Sequence, residues 1–181
     1  MNIKFNMLNF RQAKIGDIDS IAKIKVKGWQ SAYRGIIDDE YLDSMSVSEQ
    51  IDRIKKYSLD TIFVAECDNE ILGFCRIYDY DVPIYSDKKI DCEIREIYVR
   101  SNLKRMGIGS KLFNHILEHF RQLDKEILYL GCFDENYGAR KFYEKMGGLS
   151  AAGENIVVGS KCYPTVSYIF YLSDLCFGSN R

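Results

Sequence analysis

The hydrophobic pattern of the first sixty residues is mainly helical. A short strand is expected at 9–13, and from Asp17 onwards apolar residues recur every three to four positions, which predicts a helix that runs towards Tyr33. A turn is expected at 38–45, and a second helix is expected to begin near Ser48 and to end before residue 60.

From residue 61 the pattern alternates between strands and helices. Two runs rich in β-branched and aromatic residues flank a turn at 68–70 and predict a hairpin. A strand at 92–99 and a helix from Gly107 with an apolar stripe come next. The remaining predicted elements are a strand, a helix and two closing strands, at 126–133, 136–147, 155–158 and 166–172. This order predicts an α/β (α+β) fold, with a mixed sheet of about six or seven strands and helices on both faces.

Length and composition fit an ordinary globular protein, which we expect to form a single domain over 1–181. The 25 basic and 26 acidic residues nearly cancel, so no positive field is expected to attract nucleic acid or an anionic membrane surface. The sequence shows neither a signal-peptide pattern nor an apolar run long enough to span a membrane. A cytoplasmic protein is therefore expected.

The cysteines show no C-x-x-C spacing, and several lie in apolar runs that are typical of strands. We expect reduced core residues rather than disulfides or metal ligands. They are Cys67, Cys75, Cys92, Cys132, Cys162 and Cys176.

A strand, a basic loop and a glycine-bounded helix start lie together within 93–109. The first N–H groups of a helix have no partner inside it, and the helix dipole adds positive character there, so a pyrophosphate can be held by the main chain. Gly107 and Gly109 let the backbone approach an anion, and Lys104 and Arg105 add positive charge. The sequence therefore predicts an anion-binding turn.

Two motifs resemble those of the GNAT superfamily of N-acetyltransferases. The segment 93–109 resembles motif A, in which an aromatic–valine pair, here Tyr98 and Val99, ends a strand before a glycine-containing loop. Lys104 departs from the Gln or Arg that is usual at its position. The stretch NYGARKFYEKMG, which begins at Asn136, closely resembles motif B.

The resemblance covers roughly 61–172 and implies an enzyme that uses acetyl-CoA as co-substrate. It implies that motif A binds the pyrophosphate of the coenzyme. It also implies that the end of the 92–99 strand splays from its neighbour, so that pantetheine pairs with the strand backbone. A backbone N–H such as that of Ile97 would then polarise the thioester carbonyl. Residues 9–60 would then form the acceptor side. The implied coenzyme-binding residues are Ile97, Tyr98, Val99, Lys104, Arg105, Met106, Gly107, Ile108, Gly109, Ser110, Asn136, Arg140 and Tyr143.

Three residues are candidates for proton transfer. An attacking amine must first lose a proton, so a carboxylate or a water chain is expected nearby. Glu93 occupies the position of the acidic base in many family members, Glu96 is the second candidate, and water alone is a third possibility. Tyr143 occupies the motif B position whose hydroxyl serves the departing thiolate. The alternative for Glu93 and Glu96 is a solvated carboxylate on the strand, and the alternative for Tyr143 is a packed aromatic ring. For Asn136, whose predicted role is to hold the coenzyme, the alternative is an ordinary helix N-cap.

The acceptor side is less defined. The stretch from Trp29 through Tyr33 resembles a segment of a broad GNAT subgroup, although Asp38 stands where Pro is common. Trp29 and Tyr33 are predicted to bind substrate, with core packing as the alternative, and the acidic cluster 38–40 either lines the amine site or forms a solvated turn. The acceptor is predicted to be a primary amine of a small molecule or peptide. Its identity, the acyl-chain preference and the oligomeric state, a homodimer included, stay open.

Two other functions fit parts of the sequence. A GNAT-shaped module can bind acyl-CoA without catalysis and serve as a sensor. The stretch HILEH, from His115 to His119, matches the H-x-x-E-H pattern of inverted zinc peptidases. Both histidines are expected opposite the apolar stripe of their helix, and the sequence contains no further histidine, so we expect no metal.

Overall fold

The computed structural model describes residues 7–80 and 89–175. Within them the helices are α1 (Ile18–Ala32), α2 (Asp39–Ser44), α3 (Val47–Ile54), α4 (Ile108–Gln122) and α5 (Tyr137–Lys145). The strands are β1 (Asn9–Gln12), β2 (Ile62–Cys67), β3 (Glu70–Asp79), β4 (Cys92–Val99), β5 (Ile127–Phe133), β6 (Leu149–Val158) and β7 (Lys161–Tyr171). They form one sheet in the order β1-β2-β3-β4-β5-β7-β6.

The sheet is mixed and flanked by helices, which confirms the predicted fold class. β4 and β5 run parallel, whereas the pairs β1–β2, β2–β3, β5–β7 and β6–β7 are antiparallel. The predicted hairpin joins β2 to β3 through Asp68 and Asn69, both at positive φ, as the tight turns that suit the twist of a hairpin require.

The chain divides into two compact units, and each unit consists of two separate segments. The first unit comprises Met1–Ile77 with Glu96–His115, and the second comprises Tyr78–Arg95 with Ile116–Arg181. β3, β4 and α4 each begin in one unit and continue in the other.

The core of the first unit is built from the residues whose spacing predicted α1 and the hairpin. Each buried Ile, Leu, Val or Phe side chain contributes about 1.5–3 kcal/mol by leaving water. The cluster contains Ala13, Ile18, Ile21, Ala22, Ile24, Ile54, Ile62, Val64, Ile71 and Phe74. In the second unit β5 pairs with β7 from Ile127 to Phe133, and Tyr168 and Phe170 of β7 are fully buried.

Four elements differ from the prediction. A short helix, α2, replaces the expected turn, because the Asp38 side chain accepts a hydrogen bond from the Glu40 N–H at 2.9 Å and caps it. α3 is capped by Ser46, whose hydroxyl accepts from the Glu49 N–H, rather than by Ser48. The closing strands begin earlier, at residues 149 and 161, because the hairpin pairs them through small and polar residues that give no strand signal.

The cysteine prediction is partly wrong. Cys67, Cys75 and Cys92 are buried free thiols, but Cys132 is only half-buried and Cys162 is exposed, since it lies on the outer hairpin of β6 and β7. Cys176 lies outside the described residues. Over residues 7–80 and 89–175, no helix is long and apolar enough to cross a membrane.

Gly73 allows β4 to lie unusually close to β3. A Cβ atom at Gly73 would stand 2.7 Å from the carbonyl oxygen of Tyr98 and 3.2 Å from Cγ2 of Val99. Because the carbonyl oxygen belongs to the backbone, this clash can be relieved only if β3 and β4 move apart.

We expect Gly73→Ala to lower the free energy of unfolding by about 1–3 kcal/mol, because the added methyl overpacks this contact. Urea denaturation measures the change. Gly16→Ala is the matched control, since a Cβ at Gly16 meets no atom within 4 Å. Equal stability of the two variants would contradict the close approach at Gly73.

Candidate active site

The turn before α4 presents an open helix N-terminus. Arg105 and Gly107 have positive φ angles of 65° and 81°, which turn the chain into α4. The first helical hydrogen bond runs from the Lys111 N–H to the Gly107 carbonyl at 3.1 Å. Gly107 is exposed, and a Cβ there would meet no atom within 4 Å. The first N–H groups of α4 can therefore reach an anion.

Lys104, the residue that departs from motif A, has a partner on α1. Its Nζ donates to the Ser31 hydroxyl oxygen at 3.2 Å, and that hydroxyl donates to the Gly28 carbonyl at 3.2 Å. The lysine side chain is exposed, so the bond can exchange with a ligand at small cost. Its predicted contact with the coenzyme stays a prediction.

The parallel ladder between β4 and β5 is short. Across the described residues it pairs Cys92 with Leu128 and Glu93 with Tyr129, although β4 continues to Val99. The backbone groups of β4 beyond Glu93 lie outside that ladder. Such groups are what an extended ligand needs in order to pair with a strand.

The side chains at the end of β4 point alternately to opposite faces of the sheet, as in any strand. Val99 faces α4, where its Cγ2 would lie 3.7 Å from a Cβ at Gly109. Tyr98 faces α1, where its Cδ1 would lie 2.7 Å from a Cβ at Gly28 and its hydroxyl is 3.0 Å from that of Tyr33. Tyr98 thus contacts α1, whereas Val99 lies against the start of α4.

The predicted acceptor residues belong to an aromatic group. The ring centroids of Trp29 and Tyr33 are 5.1 Å apart at 85°, and those of Trp29 and Tyr41 are 6.3 Å apart. All three residues are half-buried. The nearby acids have structural partners, because Asp39 and Asp43 pair with Arg34.

Glu96 joins two buried cations. Its Oε1 accepts from Lys25 Nζ at 2.9 Å and from Arg76 Nη2 at 3.0 Å, and the three side chains are 14%, 9% and 9% exposed. The guanidinium of Arg76 also lies 4.2 Å from the centre of the Tyr57 ring. Glu96 is therefore not a solvated carboxylate, and this ion-pair group gives it a structural role.

We expect Glu96→Gln to lower the free energy of unfolding by about 3 kcal/mol, because removing one partner of a buried ion pair leaves uncompensated charge. Urea denaturation at neutral pH checks this value. Glu70→Gln is the control, since the Glu70 and Arg100 side chains are 49% and 34% exposed and such a pair contributes about 0–1 kcal/mol. A loss at Glu96 no larger than at Glu70 would refute the buried ion-pair group.

Glu93 is also buried and paired, so the solvated alternative is wrong for this residue as well. Its side chain is 6% exposed, Oε1 accepts from Arg95 Nη1 at 2.7 Å, and Oε2 accepts from the Tyr80 hydroxyl. Burial, and then the bond to Glu93, raise the pKa of Tyr80. The bond to Glu93 likewise raises the pKa of Arg95. Glu93 thus lies in a buried polar cluster with a phenol and a guanidinium, and its role as a base stays a prediction.

Motif B places its residues on and around α5. Asn136 caps the helix, because its Oδ1 accepts from the Ala139 N–H at 3.2 Å, and Arg140 Nη1 donates to Asp134 Oδ1 at 2.6 Å. Tyr143 is 9% exposed and its ring centroid lies 5.5 Å from that of Tyr168. Asn136 is therefore observed as a helix N-cap and Tyr143 as a packed aromatic ring. Coenzyme binding by Asn136 and Arg140 and the acid role of Tyr143 stay predictions.

The H-x-x-E-H histidines serve packing. The His115 ring stacks on Phe10 at 5.3 Å and meets Phe63 edge-on at 5.8 Å, so the expectation that it lies opposite the apolar face is wrong. Burial lowers the pKa of His119. The described part of the chain contains no group of three or more His, Cys, Asp and Glu residues that could hold a metal ion.

Residues of these clusters that sequence reasoning missed include Lys25, Tyr41, Arg76, Tyr80 and Arg95. Two of them carry a signal in retrospect, because Lys25 falls on the apolar stripe of α1 and Arg76 interrupts an apolar strand. A charge in either place is rarely buried without a partner. Tyr41 and Tyr80 carry no such signal.

Comparison with known proteins places this architecture in one family. Residues 26–148 match the acetyltransferase (GNAT) family. An uncharacterised N-acetyltransferase of Archaeoglobus fulgidus is 29% identical over 136 residues, which are 75% of this chain and 89% of that protein. The uncharacterised N-acetyltransferase YuaI of Bacillus subtilis is 31% identical over 132 residues, 72% of this chain and 74% of that protein.

Solved structures show the same fold. PaiA N-acetyltransferase from Thermoplasma acidophilum, solved in complex with coenzyme A, matches 88% of this chain and 97% of its own with a TM-score of 0.68 and 18% identity. YncA from Salmonella typhimurium, solved with acetyl-CoA, matches 97% of this chain and 100% of its own with a TM-score of 0.66 and 15% identity. Since the family match and the sequence relatives each span most of the chain, this protein belongs to the acetyltransferase (GNAT) family.

Proposed function

We propose that this protein transfers an acetyl group from acetyl-CoA to a primary amine of a small molecule or peptide, by direct attack in a ternary complex. The observation that carries the proposal is the open start of α4, where Gly107 leaves space over the first helical N–H groups. Family membership and fold neighbours that were solved with coenzyme A or acetyl-CoA support it. Residues 9–60 would serve the acceptor and 61–172 the coenzyme.

The residues present fit acetyl-CoA at this turn. The N–H groups from Arg105 to Ser110 would hold the pyrophosphate, and the exposed Lys104 and Arg105 would add charge. The backbone of Ile97 and Val99 would pair with pantetheine, and Asn136 and Arg140 would contact the coenzyme arm. Bound acetyl-CoA supplies an activated thioester carbonyl.

The protein's own groups would then provide orientation and proton transfer. The Ile97 N–H would stabilise the negative charge that develops on the carbonyl oxygen. Glu93 would take the proton that the amine must lose, and the Tyr143 hydroxyl would donate one to the departing thiolate. Tyr143 would regain its proton from the acylated nitrogen. Trp29 and Tyr33 would line the acceptor site.

Thiol release from acetyl-CoA tests the proposal. The purified protein is mixed with acetyl-CoA and a panel of amines that covers polyamines, amino acids, aminoglycosides and peptide N-termini, and free thiol is followed by a chromogenic disulfide. Release that depends on an amine supports acetyl transfer. Tight acetyl-CoA binding by calorimetry without turnover on the whole panel would overturn it in favour of an acyl-CoA sensor.

A further inference from the structure

Both oxygens of the Glu93 carboxylate already have donors. Arg95 occupies Oε1 and the Tyr80 hydroxyl occupies Oε2, and only 6% of the Glu93 side chain is exposed. Each oxygen can accept a second hydrogen bond, but the burial of the side chain leaves little room beside it for an acceptor amine. Its two partners are the groups through which an amine can reach the carboxylate without entering that buried space.

Arg95 is unsuited to that contact. Its guanidinium has only donors and stays charged, so it accepts no proton from an ammonium and repels it. A phenol hydroxyl accepts and donates a hydrogen bond at the same time. Tyr80 is thus the partner of Glu93 that can pass a proton on.

Tyr80 is held firmly in place. Its N–H donates to the Asp91 carbonyl at 2.9 Å, and its carbonyl accepts from Lys125 Nζ at 3.2 Å. Its ring stacks on that of Tyr78, with centroids 6.1 Å apart and planes 14° apart. The residue is half-buried, whereas Glu93 is buried, so the phenol is the more accessible member of the pair.

We propose that the Tyr80 hydroxyl carries the proton of the acceptor ammonium to Glu93, an inference that rests on the proposed acetyl transfer. The ammonium N–H bond breaks as Tyr80 Oη takes the proton. The phenol's own O–H bond breaks as Glu93 Oε2 takes the second proton. The nitrogen keeps the electron pair with which it attacks, Glu93 becomes a neutral acid, and Tyr80 is a phenol before and after. Glu93 later returns its proton to solvent by the same route.

The surroundings of the pair keep Tyr80 in the phenol form that this relay needs. Burial and the adjacent carboxylate raise its pKa, which prevents a phenolate at neutral pH. Among the described residues, the charged and titratable groups near the pair include Tyr78 and Asp79 on β3, Asp91 just before β4, Arg95 on β4, Lys125 after α4 and Tyr129 on β5. Asp79 pairs with Lys125, and Arg95 pairs with Glu93, so most of these charges are compensated.

Tyr80→Phe tests the relay, because it keeps the ring and its stacking and removes only the hydroxyl. With an amine that the wild-type protein acetylates, we expect kcat at pH 7 to fall about 100-fold, as for Glu93→Gln, and the deficit to shrink as rising pH supplies free amine. The double variant with Tyr80→Phe and Glu93→Gln should also lose about 100-fold in kcat, since both changes break the same proton path. Calorimetry should give an unchanged acetyl-CoA Kd. Tyr78→Phe is the control and should keep wild-type kcat.

The outcomes separate this inference from the proposed function. If Tyr80→Phe keeps wild-type kcat, or if the double variant loses about 10,000-fold as the product of two independent effects, the relay is wrong while acetyl transfer stands. A deficit that is constant with pH would also overturn it, since a structural role predicts that result. If the wild-type protein releases no thiol with any amine, the proposed function fails and the relay fails with it.

Discussion

Gly107→Val is expected to weaken acetyl-CoA binding by about 100-fold. A β-branched residue is strained at a φ of +81°, so the turn moves and the first N–H groups of α4 are aimed elsewhere. The valine side chain also fills the open space over the helix start. Each hydrogen bond to a charged group contributes about 1.5–3 kcal/mol, and the loss of two corresponds to at least about 100-fold in Kd. Isothermal titration calorimetry measures the change.

Gly35→Val is the matched control for that experiment. Gly35 has a φ of +80°, and a Cβ there also meets no atom within 4 Å, but it lies outside motif A. Both variants should lose about 1–3 kcal/mol of folding stability from the same backbone strain. The control should keep its acetyl-CoA affinity. If a folded Gly107→Val protein binds acetyl-CoA as tightly as the control does, the pyrophosphate does not lie at this turn.

Glu93→Gln is expected to lower kcat about 100-fold near neutral pH and progressively less towards alkaline pH. An amine is almost fully protonated at neutral pH, so the reaction needs a group that removes its proton, whereas at high pH the free amine is already present. Glutamine keeps the shape of Glu93 and can still accept from Tyr80, so the fold should be preserved. The pH dependence of amine-dependent thiol release measures the effect.

Glu96→Gln provides the comparison for the base assignment. Because Glu96 lies between Lys25 and Arg76, its loss should reduce stability and leave the shape of the pH profile unchanged. The opposite pattern, with a low-pH deficit for Glu96→Gln and none for Glu93→Gln, would move the base to Glu96. A profile unchanged in both variants would leave water as the base.

Elements with strong local patterns could be predicted from the sequence. β4 begins and ends at the predicted residues, because β-branched, apolar and aromatic residues fill it from Cys92 to Val99. The start of α4 was also predicted, since Gly107 marks it and the apolar stripe follows. β6 was predicted too short, because its first half contains small and polar residues and is fixed by pairing with β7.

Contacts between distant residues could not be predicted in the same way. Glu93 was expected from its motif position, but its partner Tyr80 lies 13 residues earlier, just after the end of β3. Lys25 and Glu96 are 71 residues apart, and no local pattern reports that they meet. Burial of a charge depends on these long-range contacts, which is why both carboxylates were taken as candidates for solvated positions.

The interleaved course of the chain bears on how the protein is made. The first unit uses residues 96–115, which leave the ribosome only after the whole inserted segment from Tyr78 to Arg95. Until Glu96 emerges, Lys25 and Arg76 lack the carboxylate that both share. The N-terminal half of a nascent chain therefore cannot finish packing during its own synthesis, and folding of this unit must wait until the residues through His115 have left the ribosome.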